Sequence, residues 1–230
     1  MTNLYIITGA SSEIGIQILL KLSKRINDDF LLQVFKNKNK LVENKKLNKL
    51  NKNIYSLNFS LNKNIHHFIS KIKKSKKYRN IIFIHLPSQK ITLKKSEKFF
   101  NYEINSQIMV QSLSLLSIYR DLLNKNNFNK LKIIILNSKI INNDLIPGAL
   151  DYAIAKYSLQ ALYKNLLLDT RNSNNIYINA IYPPMFDSNL TSNIPNYLKD
   201  KIKTKEVTNK IVNKINFLIK NDVSGKDIII

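Results

Sequence analysis

Cysteine is absent from the 230 residues, as is tryptophan. The first absence removes disulfides, thiolate metal sites and cysteine nucleophiles together, and it suits a reducing compartment. Glycine (4) and proline (5) are scarce, and no Pro/Gly/Ser-rich linker divides the chain. Long apolar runs are missing too: stretches such as Ile133 to Leu136 fall far short of the roughly 18 residues that span a bilayer, so no membrane span is expected. The segment Met1 to Gly9 has no basic stretch ahead of an apolar core, so no secretory signal is expected and the cytoplasm is the expected location. Acids are also few, 15 against 37 Lys and Arg, for a net charge of +22.

That charge does not argue for nucleic acid. Only four of the basic residues are Arg (Arg25, Arg79, Arg120 and Arg171), whereas nucleic-acid surfaces lean on Arg for bidentate contacts that Lys cannot make. Lys, Asn and Ile all have AT-rich codons and are abundant together, so genome composition explains most of the excess. The densest Lys runs, Lys36 to Lys52 and Lys71 to Lys77, are interleaved with Leu41, Leu47 and Leu50 or with Ile69 and Ile72, as on solvated helix faces. Specific nucleic-acid binding is not expected; weak, salt-sensitive adhesion to polyanions is.

What is present is alternation. Short β-rich runs at Leu4–Ile7, Leu31–Phe35, Ile54–Leu57, Ile81–Ile84, Ile133–Leu136, Tyr177–Tyr182 and Asp227–Ile230 take turns with segments of helical period. The helical candidates are Glu13–Lys24, Lys40–Leu50, Ile65–Lys74, Lys95–Leu123, Tyr152–Leu168 and Glu206–Lys220. This pattern predicts one α/β domain over residues 1–230, a Rossmann-like doubly wound parallel sheet of about seven strands flanked by helices. Ligands bind such sheets at the carboxyl ends of the strands, where the Pro-containing stretches 146–148 and 183–195 fall.

Two of the four glycines lie in Thr8-Gly9-Ala10-Ser11-Ser12-Glu13-Ile14-Gly15, directly after the first strand and opening the first helix. Gly9 suits the tight turn, Gly15 a close approach of helix to sheet, and Ser11 and Ser12 supply hydroxyls or a cap. The helix N-terminus, with the N–H groups around Ile14, offers donors and a positive dipole end to a pyrophosphate. Further along, Tyr152-Ala153-Ile154-Ala155-Lys156 places a phenol and an ammonium one helical turn apart. A bare Tyr-x-x-x-Lys says little here, since 11 Tyr in so Lys-rich a chain give roughly 1.6 chance matches, and Tyr197 and Lys201 form a second copy. Position distinguishes them: Tyr152 follows Ser138 by 14 residues and opens a helix between the fifth and sixth strands, while Tyr197 lies in a Pro-broken segment.

Taken in order, the Thr8–Gly15 segment, Asn105, Ser138, Tyr152, Lys156 and the weaker Asn179-Ala180-Ile181-Tyr182-Pro183-Pro184 resemble the short-chain dehydrogenase/reductase family nearly end to end. Within it the chain is most similar to the bacterial enzymes that include 3-oxoacyl-[acyl-carrier-protein] reductase. The resemblance implies an NAD(P)H-dependent oxidoreductase, reducing a carbonyl or oxidising an alcohol, with Asn105, Ser138, Tyr152 and Lys156 as the catalytic set. Tyr152 would be the general acid/base, helped by the Lys156 charge, which favours the phenolate. Ser138 would bind the carbonyl oxygen, Lys156 would also hold the nicotinamide ribose, and Asn105 would kink its helix to seat a proton-relaying water.

The implied cofactor-binding residues are Gly9, Ser11, Ser12, Ile14, Gly15, Lys36, Asn58, Tyr152, Lys156 and Pro183; no metal is implied. The second strand ends in Val34-Phe35-Lys36-Asn37-Lys38 without an acid to bond a ribose 2′-hydroxyl, so NADP(H) is favoured, with NAD(H) as the alternative. The substrate implied is a small-molecule or carrier-bound carbonyl compound, a 3-oxoacyl carrier conjugate or a sugar or polysaccharide precursor, handled by a homodimer or homotetramer. The chain departs from the family at Glu13, where a glycine is usual, at His85-Leu86-Pro87-Ser88 after the fourth strand, at Pro184, and in ending at Ile230 without a glycine-containing tail. These departures keep open the alternative of a nucleotide-sensing or scaffolding protein without turnover. His66 and His67 ride a Lys-rich helix, and His85 ends the fourth strand beside the expected cleft.

Overall fold

The computed structural model describes residues 2–72, 76–142, 145–199 and 203–230. Its strands are β1 (Leu4–Thr8), β2 (Asp29–Val34), β3 (Asn51–Ser56), β4 (Tyr78–His85), β5 (Phe128–Leu136), β6 (Ile176–Tyr182) and β7 (Asp227–Ile229). They form one parallel sheet in the order β3-β2-β1-β4-β5-β6-β7. Every expected strand is present. The helices are α1 (Glu13–Leu22), α2 (Asn39–Val42), α3 (Asn62–Ser70), α4 (Asn101–Ile108), α5 (Ser114–Lys125), α6 (Leu150–Thr170) and α7 (Thr204–Lys220).

The near-continuous apolar strands are explained by burial on both faces. Alternate residues of β1 divide between two cores: Leu4 and Ile6 join Phe68, Ile118 and Leu159 on the face covered by α3, α5 and α6. Tyr5 and Ile7 join Ile18, Leu41, Ile211 and Ile215 on the face covered by α1, α2 and α7. Strand order reverses between β1 and β4, so the loops after them diverge and leave a crevice at the carboxyl edge.

Two helical expectations are corrected. The segment Lys40–Leu50 is only α2 followed by a 3₁₀ turn, Lys45–Leu47. The Asn44 side chain accepts from the Lys46 N–H at 3.2 Å, a local bond that competes with helix propagation. The segment Lys95–Leu123 becomes a continuous helical run only from Asn101, as α4, a π-helical turn over Met109–Leu113, and α5. The end expected for α3 at Lys74 lies outside the described residues. Among the described residues no helix is long and apolar enough to cross a membrane.

Candidate active site

A cavity of about 680 Å³ opens over the carboxyl ends of the strands, lined by residues that follow β1 to β6. At one end is the turn after β1. Gly9 adopts φ +71°, and a Cβ there would lie 3.1 Å from the Leu86 and Pro87 backbone, so the position needs glycine on both counts. Gly15 does not line the cavity. A Cβ on it would stand 2.5 Å from the Ala10 carbonyl oxygen, so its glycine lets α1 close on the turn. The Ser12 hydroxyl caps α1 by accepting from the Gly15 N–H at 3.1 Å, and the Ser11 hydroxyl donates to the Lys36 carbonyl at 3.0 Å. No protein acceptor among the described residues meets the N–H groups of Glu13 and Ile14, which are left for a ligand.

Gln33, which the sequence reading did not single out, carries this turn. Its side chain accepts from the Gly9 N–H at 2.9 Å and donates to the Leu57 carbonyl at 2.6 Å. A buried polar residue in the otherwise apolar run Phe30–Val34 was the available signal. The same end of the cavity is lined by Phe35, Lys36, Asn37, Lys40 and Asn58. The Lys36 ammonium lies 5.2 Å from the Phe35 ring centroid. Lys40 is an addition to the expected set, and Lys38 does not line the cavity. Glu13 lines it with an exposed side chain in the first turn of α1.

At the other end stand Ser138, Tyr152 and Lys156, with Pro183 to Phe186 in the lining beside them. Tyr152 and Lys156 lie on the buried face of α6. The Lys156 ammonium donates to the Leu136 carbonyl at 3.1 Å and lies 5.5 Å from the Tyr152 ring centroid. The loop after β4 and the loop after β6 meet over the phenol: the Ile91 N–H donates to the Leu190 carbonyl at 3.1 Å. Tyr152 packs there with Ile91, Ile140, Ile146 and Ile194.

The electrostatics differ from the sequence expectation. Burial pushes the Tyr152 phenol up to about 12, against a smaller downward pull from the Ser138 hydroxyl. Burial also brings the Lys156 ammonium down to about 7. Desolvation therefore governs both members of this pair.

Asn105 is not part of this site. It is exposed on α4, whereas Gln111, in the middle of the π turn, is fully buried and its amide donates to Gln107 at 2.8 Å. Tyr197 is 85% exposed and distinct from the cavity, while His85 is buried behind it. His66 and His67 are exposed on α3. A second, more open groove of about 540 Å³, lined by Leu93, Lys94, Ser96 and Pro147 among others, contains none of these site residues. Among the described residues no three His, Asp or Glu cluster as metal ligands would.

No protein-family model matches the chain, and no curated protein matches it by sequence. Solved structures do match in fold. A 4-hydroxyisoleucine dehydrogenase complexed with NADH superposes with a TM-score of 0.81 at 18% identity, covering 100% of this chain and 97% of that one. An alcohol dehydrogenase from the archaeon Thermococcus sibiricus, complexed with 5-hydroxy-NADP, gives 0.77 at 17% identity over 100% and 96%. An oxidoreductase of the short-chain dehydrogenase/reductase family from Brucella ovis, in complex with a partially ordered NAD, gives 0.76 at 18% identity over 100% of both chains. The fold is thus the single-domain Rossmann-like fold of these enzymes.

Proposed function

We propose that the protein is an NAD(P)H-dependent oxidoreductase that reduces a carbonyl group or oxidises the corresponding alcohol. The observation that carries this reading is that Ser138, Tyr152 and Lys156 line the same cavity as the Gly9 turn and the open N-terminus of α1. A dinucleotide fits the residues present: the turn at Gly9 is one that a Cβ would strain, and the N–H groups of Glu13 and Ile14 face no protein acceptor among the described residues. The nicotinamide, when bound, supplies or takes the hydride. Tyr152 donates the proton to the carbonyl oxygen, Ser138 hydrogen-bonds that oxygen, and Lys156 holds the ribose and carries a charge that favours the phenolate once the ammonium is protonated.

The cofactor is NADP(H), a reading supported by Lys36 and Lys40 after β2 and by the lack of an acid there. Gly9, Ser11, Ser12, Ile14, Asn58 and Pro183 form the remainder of the cofactor wall, and Gly15 supports it from below. The substrate is a 3-oxoacyl carrier conjugate, favoured by the +22 charge towards an acidic carrier, or else a sugar or polysaccharide precursor. The absence of cysteine suits work in the cytoplasm. A homodimer or homotetramer is formed through the outer faces of α4 and α6, where Tyr102, Ile154, Tyr157 and Leu168 are exposed. Sedimentation as a monomer at micromolar concentration would count against that assembly.

The test is steady oxidation of NADPH and NADH against a panel of ketones. NADPH is expected to be the better donor, and replacing Lys36 and Lys40 together by Met is expected to raise its KM about tenfold while leaving the KM for NADH within about twofold. No oxidation of either nucleotide with any ketone, despite nucleotide binding, would favour the sensing or scaffolding alternative, to which Glu13 and Pro184 point.

A further inference from the structure

His85 is 1% exposed and belongs to no step described above. Its Nε2 lies 2.7 Å from the Gln111 carbonyl oxygen, and its Nδ1 lies 2.9 Å from the Thr8 hydroxyl. A carbonyl can only accept, so Nε2 carries the proton; in the neutral ring Nδ1 is then bare and accepts from Thr8. The two partners belong to different halves of the cavity. Thr8 pairs with His85 across β1 and β4 and is the residue before the Gly9 turn. Gln111 is the middle residue of the π turn Met109–Leu113. A π turn breaks the regular i→i−4 pattern of backbone bonding, and the His85 N–H supplies a donor there from outside the helix.

That turn is attached to the helix bearing the proposed proton donor. The Ser112 hydroxyl donates to the Ala155 carbonyl at 3.4 Å, the Gln107 amide reaches Asp151 at 3.4 Å, and Val110 lines the cavity directly. Ala155 and Asp151 neighbour Lys156 and Tyr152 in sequence. Burial, together with the Lys156 charge, keeps the imidazole neutral, against a smaller opposing effect of the Gln111 bond.

We propose that His85 is a positioning residue: it ties the strand end that enters the nucleotide turn to the π turn that abuts the Tyr152–Lys156 helix, and so sets the distance between cofactor seat and proton donor. The inference rests on the reductase reading for its effect on turnover. The tether itself is testable without turnover.

His85→Phe keeps a flat ring and loses both bonds, whereas His85→Gln places an N–H near the Nε2 position. In His85→Phe, amide hydrogen exchange over residues 110–114 is expected to accelerate about tenfold or more, with exchange in α7 unchanged. Its kcat is expected to fall about tenfold to a hundredfold while nucleotide Kd moves less than about threefold. His85→Gln is expected to restore most of both. In the unmodified protein, nitrogen-15 spectra of the imidazole are expected to show a neutral ring protonated at Nε2 from about pH 5 to pH 8; this measurement stands even if His85→Phe does not fold. A ring protonated at Nδ1 or charged in that range, exchange at 110–114 unchanged in His85→Phe, or an unaltered kcat in that variant would overturn the proposal. If the unmodified protein reduces no carbonyl, the reductase reading fails while the spectra and the exchange still decide the tether.

Discussion

Tyr152 and Lys156 are both desolvated, and their roles under the proposed chemistry follow from that: the phenol keeps its proton and can give it, while the amine sits near its midpoint at neutral pH. Glu13 acts in the opposite sense at the other end of the cavity. A carboxylate in the first turn of α1 is favourable to the helix dipole but repels a pyrophosphate seated there. Glu13→Gln is expected to tighten nucleotide binding about threefold to tenfold at low salt, from roughly 1 kcal/mol of repulsion in high dielectric, with the gain shrinking as salt is added; titration by fluorescence or calorimetry reads this directly.

His85 sets a pH dependence with a definite sign. Its pKa is lowered from 6.5 to about 3 on folding, so the unfolded chain binds the extra proton first. Stability from this group is complete above about pH 6.5 and declines by up to about 1.4 kcal/mol per pH unit as the pH falls towards the folded value. Carboxylates held low, such as Asp222 beside Lys130, add the same sign only further down, whereas the Asp151 carboxyl, raised by burial, adds the opposite one. The difference between the unmodified protein and His85→Gln in urea unfolding at pH 7 and pH 5 isolates the histidine; equal slopes would contradict the assignment.

Elements were legible in proportion to how little their cues competed with composition. The turn after β1 stood out because glycine is scarce, and its two glycines meet close backbone contacts that only glycine fits. α6 was legible because Ser138 and Tyr152 are spaced as a strand end and a following helix face require. Asn105 misled because asparagine is everywhere in this chain and no local cue marks a π turn; the carbonyl that draws His85 belongs to Gln111 by backbone geometry, which a side-chain pattern does not encode. Lys40 was hidden among its neighbours for the same compositional reason, and the helix expected around it gave way to turns because Asn and Lys there bond locally.

One lysine that composition would dismiss has a structural role at this scale. Lys132, in the middle of β5, donates to the carbonyls of Ile219 at 2.9 Å and Asn221 at 3.0 Å and pairs with Asp222 at 2.8 Å. It thereby satisfies the carboxyl end of α7, where a cation also complements the dipole. Lys132→Met would leave buried carbonyls without a donor, and about 1–3 kcal/mol of stability is expected to go with it. A lower urea midpoint with an unchanged denaturant slope is the expected reading.

The whole molecule joins the proposed nucleotide seat, built by β1, α1 and β2, to the proposed proton-donor end, built by β5, α6 and the loops after β4 and β6, on a single parallel sheet. The sequence carried the alternation that dictates this sheet and the residues at both ends. It did not carry how the ends are held in register, because that depends on buried contacts between residues far apart in the chain, such as Thr8 with His85 and Ile91 with Leu190. Hydride transfer is the step in which these two ends are proposed to cooperate. Its most direct measurement follows deuterium from the nicotinamide C4 of labelled NADPH into the carbonyl carbon of a ketone by mass spectrometry, with the unmodified protein and with Tyr152→Phe. Deuterium at the carbinol carbon, formed about a hundredfold or more slowly by a Tyr152→Phe variant that still binds NADPH, is the predicted result. Label that never reaches the carbon, or reaches it equally fast without the phenol, would contradict the account.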